Sequence, residues 1–105
     1  MKTSELSGAA LDWAVAKAEG VIKGDALDVG FICEGGYTPS TDWALAGAII
    51  EREKLWLEPI NGGEQWWSVT LSGNHEGEGA TPLVAAMRCY VASKLGDEVQ
   101  IPEGV

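Results

Sequence analysis

One histidine, two cysteines and a scatter of carboxylates are the side chains from which this chain could build a reactive centre. His75 stands beside Glu76 and Glu78 in a glycine-rich stretch, a combination able to hold a cation only weakly. Cys33, His75 and Cys89 lack the close pair spacings from which zinc sites are built. Nucleophilic catalysis needs a base held near a serine or cysteine, and a histidine among glycines has no rigid platform. Neither a Gly-x-Ser-x-Gly elbow nor a phosphate loop followed by Lys-Ser/Thr occurs. Glu51 and Glu53 form a carboxylate pair of the kind that exposed surfaces carry without any reaction attached. The expectation is no catalytic residue, no metal site and no cofactor site, which leans away from an enzyme without closing that alternative.

Binding chemistry has better material. Tyr37, Ser40, Asp42 and Trp43 mix polar and aromatic groups in and beside one loop, where ligands and partners are often met. Trp66 and Trp56 belong to a hairpin, which buries one face and leaves the other free to show aromatic surface. Arg88 borders an apolar helical stripe. A partly buried guanidinium requires acceptors, so Arg88 is either tied to a carboxylate or loop carbonyls or acts as an anion clamp. Tyr37, Ser40, Asp42, Trp43, Trp66 and Arg88 are therefore the candidate binding surface. The plain alternative is that Trp43 plugs the core while Ser40, Thr41 or Asp42 caps a turn.

The elements that position these groups follow from pattern. Thr81 and Pro82 open a helix, because a hydroxyl can accept a first-turn amide and proline lacks only an N–H that would be idle there. Good helix formers run to Leu95, Lys94 suits the carbonyl end, and Gly96 closes it in the left-handed conformation. Leu83, Val84, Met87, Val91 and Leu95 form one stripe. Ala85, Ala86, Cys89, Ala92 and Ser93 line the other side, where small residues admit another backbone. That helix is buried round most of its circumference or packs on a partner subunit. A first helix runs from a Ser7 cap to Glu19, with Leu11, Ala14, Val15 and Ala18 inward and Trp13 on the other side near Ala9 and Ala16.

Between them, Val21 to Gly36 holds short apolar pieces broken by glycines, Gly24 among them, with a short strand from Val29 to Cys33. Residues 42–45 suit a helical turn. Ala48 to Leu57 is ambiguous, β-branched at Ile49 and Ile50 and helix-like over Glu51 to Lys54. Leu55–Glu58 and Gln65–Leu71 read as a hairpin around Asn61-Gly62-Gly63. Trp67, Val69 and Leu71 share one of its faces, Trp66, Ser68 and Thr70 the other. Ser72 to Ala80, polar and glycine-rich, suggests a mobile surface loop. The fold class expected is α+β: a small antiparallel sheet packed against the N-terminal and C-terminal helices in one compact domain spanning 1–105, with five tryptophans filling much of the core.

Three blocks of sequence resemble one family. The last runs from Thr81 through Leu95, then Gly96-Asp97-Glu98-Val99 and Pro102. The first is the opening from Met1 to Gly20. The middle one is Pro39-Ser40-Thr41-Asp42-Trp43 with Gly47 and Ile49-Ile50-Glu51-Arg52-Glu53. Together they are similar to the NinX-like phage and prophage proteins, a small phage domain of unknown function. The resemblance implies a phage-encoded, non-essential accessory protein of the bacterial cytoplasm, and it supplies no catalytic residue.

Charge and cysteine usage bound the rest. A net charge of −9 opposes attraction to nucleic acid or anionic lipid, and its acids, Asp12, Glu19, Asp25, Asp28, Glu34 and Asp42 among them, are dispersed. With no signal segment and no run long enough to span a bilayer, Cys33 and Cys89 are expected as reduced, buried thiols. The preferred function is binding to an unidentified host or phage protein, with self-association as a further expectation. The alternatives are an acidic DNA mimic that decoys a host DNA-binding protein, and a small-molecule or enzymatic pocket lined by Tyr37, Trp43 and Arg88.

Overall fold

Helix α4 (Pro82–Leu95) is the element on which the others are assembled. Thr81 Oγ1 accepts the Val84 amide at 3.1 Å and Pro82 takes the first turn. At the far end Gly96 has φ +89° and ψ −169°, an extended left-sided conformation open essentially to glycine, rather than the left-handed helical one expected. Leu83, Ala85, Ala86, Met87, Cys89, Tyr90, Val91 and Ala92 are all buried, so the helix is enclosed on most sides within its own chain.

The computed structural model describes residues 1–23 and 26–105. Gly24, expected as a break, and Asp25, counted among the dispersed acids, lie outside the described residues. Helix α1 (Gly8–Glu19) ends at Gly20 with φ +74°. It packs on α4 rather than on the sheet, so the two alanine-rich helices do meet. Its two sides serve two clusters. Leu11, Ala14 and Val15 join Leu6, Met87, Tyr90 and Val91, while Trp13 and Ala16 join Ile22 and Ile32.

Three local expectations are corrected. Ala26–Cys33 is helix α2, not a strand from Val29 to Cys33. Its Ile32 and Val29 pack on Trp13 and Ala16, and that packing overrides the β-preference of branched residues. The turn expected at 42–45 is the start of an eleven-residue helix, α3 (Trp43–Glu53). Asp42 caps it, accepting from Ala44 N at 2.8 Å and Leu45 N at 3.4 Å. Lys54, at φ +54°, ends α3 and divides the ambiguous stretch into helix before and strand after.

The third correction concerns Ser72 to Ala80. Strands β1 (Trp56–Ile60) and β2 (Gln65–Val69) form the expected hairpin, and β3 (Glu76–Gly79) adds a third antiparallel strand in the order β1-β2-β3. Glycines are poor strand formers, but here they are what allows a helix to lie on the strand. A Cβ on Gly77 would stand 2.5 Å from Cys89 N and 2.6 Å from Ala85 O, and one on Gly79 2.6 Å from Val84 Cγ1. The small residues of α4 thus accommodate a strand of the same chain.

That close packing also leaves little room for indoles. Only Trp13 is buried; Trp66 and Trp67 are half-buried, and Trp43 and Trp56 are 58% and 61% exposed. The tryptophans therefore fill little of the core: its larger cluster is mainly aliphatic with Tyr90, and Trp13 alone among the tryptophans is buried, in the smaller one. Cys89 is buried as expected, whereas Cys33 is exposed, and both are free thiols.

Candidate functional site

Strand register decides which side chains face the helix and which face solvent. Trp56 pairs with Val69, Glu58 with Trp67, Trp67 with Glu78, and Val69 with Glu76. Directly paired residues share a face, so Trp56, Glu58, Trp67, Val69, Glu76 and Glu78 lie on one side. Ser68, Gly77 and Gly79, all buried, lie on the other, under α4. The first side is the uncovered face of the sheet, and Leu71, 79% exposed, continues from β2 beyond it.

The face has a specific composition: aromatic and aliphatic groups alternating with carboxylates, and no lysine or arginine among its paired positions. The Trp56 indole N–H donates a long bond to Glu58 Oε2 at 3.4 Å, and the Trp67 N–H reaches Glu76 Oε2 at 3.3 Å. Trp67 leans to its diagonal neighbour Glu76 rather than its direct partner Glu78, and each indole edge is held against a carboxylate.

A second constellation ties three helices together. Arg52, in the last turn of α3, donates to Glu19 of α1 through both terminal nitrogens, at 3.0 and 2.7 Å, and through Nε to Glu53 at 2.9 Å. Lys94 of α4 pairs with Glu53 at 3.2 Å. The Tyr90 hydroxyl donates to Glu19, and Arg52 and Lys94 stand 5.7 and 5.9 Å from the centre of its ring. The hydrogen bonds from Arg52 hold Glu19 and Glu53 below the usual carboxylate range. Burial, reinforced by Glu19, keeps the Tyr90 phenol protonated far above its usual range. Such a phenol is a donor and not a nucleophile, so the arrangement fastens helices and offers no reactive atom.

The residues singled out from sequence are distributed as follows. Ser40 is buried, and its amide donates to the equally buried Asp12 carboxylate at 2.8 Å, which pins the loop to α1. Burial raises the Asp12 pKa, partly offset by this bond. Tyr37 is half-buried against both clusters, and burial followed by the Glu19 charge raises its phenol. Asp42 caps α3 and Trp43 stands exposed at its start. Trp66 lies on the helix side of the sheet, opposite Gly79. Arg88 belongs to another neighbourhood: Nε donates to Leu6 O at 2.7 Å and Nη1 to Glu78 O at 2.8 Å, joining the N-terminal segment to β3. Its guanidinium, with pKa lowered by burial, also lines a hollow of about 210 Å³ with Lys2, Glu76, Asp97 and Glu98. Tyr37 and Trp43 do not line that hollow.

The remaining reactive types are structural. Burial pushes the Cys89 thiol up, away from the thiolate, and it donates to His75 O at 3.5 Å. Among the described residues no three His, Cys, Asp or Glu side chains are placed to hold a metal ion, and no helix is long and apolar enough to cross a membrane. Sequence reasoning missed Trp56, Trp67, Glu58, Glu76 and Glu78 as one surface. The alternation in residues 65–71 was visible, but the strand that carries Glu76 and Glu78 was hidden by its glycines.

No curated protein matches the chain. The family model described as Bacteriophage P22, NinX matches residues 2–94, which takes in the opening block, the block around Trp43 and nearly all of α4. That span covers most of the 105 residues, and the chain accordingly belongs to this phage family, Bacteriophage P22 NinX.

Proposed function

We propose that this phage-family chain is a non-catalytic accessory protein of the host cytoplasm, and that it works by holding another protein, of phage or host, on the uncovered face of its sheet. The observation that carries the reading is Trp56, 61% exposed on a face shared with Trp67 and Val69. Exposed aromatics gathered on one surface are the material of interface hot spots. The groups able to do chemistry support it from the other direction: Arg52, Glu19, Tyr90, Arg88 and Asp12 each hold one element of the fold to another.

The acidic-decoy reading draws on the same face, since Glu58, Glu76 and Glu78 gather there. Tryptophans are interleaved with these carboxylates, which makes the face a poor copy of continuous phosphate rows and favours the protein-holding reading.

The test is co-purification of the bound partner from phage-infected cells with the parent chain, W56A, W67A and V21A. Val21 is exposed and lies outside the sheet. The partner is retained by the parent and V21A and lost from W56A and W67A. Retention by W56A and W67A at parental levels overturns the reading.

A further inference from the structure

We propose that the uncovered sheet face receives an extended basic segment of its partner, in which lysine or arginine side chains two residues apart lie over Trp56 and Trp67 and pair with Glu58 and Glu76. This rests on the protein-holding reading and adds the chemistry of the partner.

Charge complementarity selects the occupant. The face presents Glu58, Glu76 and Glu78 with no lysine or arginine among its paired positions, on a chain of net charge −9. A second copy docking by this face would set carboxylates against carboxylates. Nucleic acid and anionic lipid would be repelled for the same reason. A purely apolar partner would bury these carboxylates with no counter-charge and, at Glu58 and Glu76, only a long indole hydrogen bond each, which is costly.

The side-chain arrangement narrows the class further. A cation is attracted to an indole face within about 6 Å of the ring centre. Here each indole has a carboxylate fixed at its edge, Glu58 beside Trp56 and Glu76 beside Trp67. An ammonium or guanidinium set over either ring therefore meets an aromatic face and an anion together. Spacing supplies the extended conformation. Trp56 and Trp67 are diagonal neighbours across the β1–β2 ladder, because Trp56 pairs with Val69 and Trp67 lies two residues before it. Diagonal neighbours stand about 7–8 Å apart, close to the roughly 6.8 Å between alternate side chains of an extended strand. Basic residues at positions n and n+2 match both indoles at once.

The experiment titrates the 105-residue chain with blocked decapeptides in a Ser/Thr background. One carries arginine at two alternate positions, one carries the arginines adjacent, and one carries glutamine in their place. Binding is followed by the indole N–H signals in NMR spectra and by calorimetry at low and high salt. The alternate peptide shifts the Trp56 and Trp67 signals, binds several-fold more tightly than the adjacent one, and loses affinity with salt. W56A weakens it about tenfold, W56F recovers part of the loss, and E58Q/E76Q weakens it and flattens the salt dependence. The variant E5Q/E34Q removes the same charge at exposed sites outside the sheet and leaves affinity near the parent's. Equal binding of the glutamine peptide overturns the basic-partner inference and leaves the docking face standing. Equal weakening by E5Q/E34Q and E58Q/E76Q overturns it as well, since attraction is then to net charge alone. Absence of any shift at Trp56 and Trp67, together with retention of the partner by W56A in infected cells, brings down both.

Discussion

Gly77 of β3 lies directly beneath the backbone of Cys89 in α4, so close that a methyl group added to it would stand 2.5 Å from the Cys89 nitrogen. The contact is between main chains, so no side chain can turn aside to relieve it. G77A should destabilise the protein by about 3 kcal/mol, the upper range for overpacking in a rigid interior. Gly47, within α3, is the counterexample, because a Cβ there meets nothing within 4 Å. G47A should stabilise by about 0.5–1 kcal/mol through helix propensity and reduced freedom of the unfolded chain. Urea unfolding of the two variants checks both signs at once.

Asp12 and Glu19 give the stability profile opposing slopes. Burial raises the Asp12 pKa from its ordinary 3.8, so the folded chain keeps that proton to higher pH than the unfolded chain does. Its contribution is complete below the unfolded value and is lost as pH rises through the folded one. Glu19 and Glu53 are lowered from 4.5, so their contributions are present above that value and are lost as pH falls through their folded values. Asn at position 12 keeps an acceptor for the Ser40 amide and removes the cost of ionising in a buried place. The stability of D12N relative to the parent should therefore improve as pH rises above 3.8. D12A removes the same titrating carboxyl and should follow the same pH slope, displaced downward by about 1–3 kcal/mol because the Ser40 amide is left without an acceptor. Denaturant midpoints measured from about pH 3 to 7 distinguish the two.

Removing the Tyr90 hydroxyl takes two bonds out of the network of three helices, its donation to Glu19 and the one it accepts from Arg52 at 3.3 Å. Y90F should cost about 1–2 kcal/mol, the usual net worth of two hydrogen bonds with one of them long, and the loss should shrink as acid protonates Glu19. R52K should cost a similar amount despite preserving charge, because an ammonium cannot reproduce the two-pronged contact with Glu19. Arg52 is half exposed, so neither change should unfold the protein. Thermal unfolding at neutral pH and at the acid end reads the difference.

Tryptophan emission offers a direct check on the aliphatic core. Acrylamide, being neutral, is not repelled by the acidic surface and should quench Trp56 and Trp43 efficiently and leave Trp13 protected. W13F should abolish the protected, blue-shifted component, whereas W56F should remove a red-shifted, quenchable one. Protection of the Trp56 emission in the isolated chain would show that its face is already covered.

Helix α4 was legible from sequence because its signals are local: a hydroxyl cap, a proline in the first turn, uninterrupted helix formers and a glycine stop. The two-sided character of α1 was legible for the same reason, since spacing alone separates Trp13 from Leu11 and Val15. Strand β3 was not, because its Glu-Gly-Glu-Gly pattern carries a weak strand signal, and its purpose appears only when α4 lies on it. Helix α2 was missed because Ile32 and Val29 answer to Trp13 rather than to their own β-preference. The candidate surface divided along the same line. The hairpin aromatics were visible, but the choice of outward face depends on which strand residues α4 covers. The Glu19–Arg52–Tyr90 contacts join residues 33 to 71 positions apart, a relation that no local pattern encodes.

The sheet, α1 and α3 all rest on α4, yet residues 82–95 leave the ribosome after every one of those elements. Until they emerge, the hairpin and the earlier helices have no common floor, and the growing polypeptide holds its apolar faces unsheltered. The native packing can therefore close only late in synthesis, and the scattered acids of the preceding segment keep the waiting chain dispersed in the meantime.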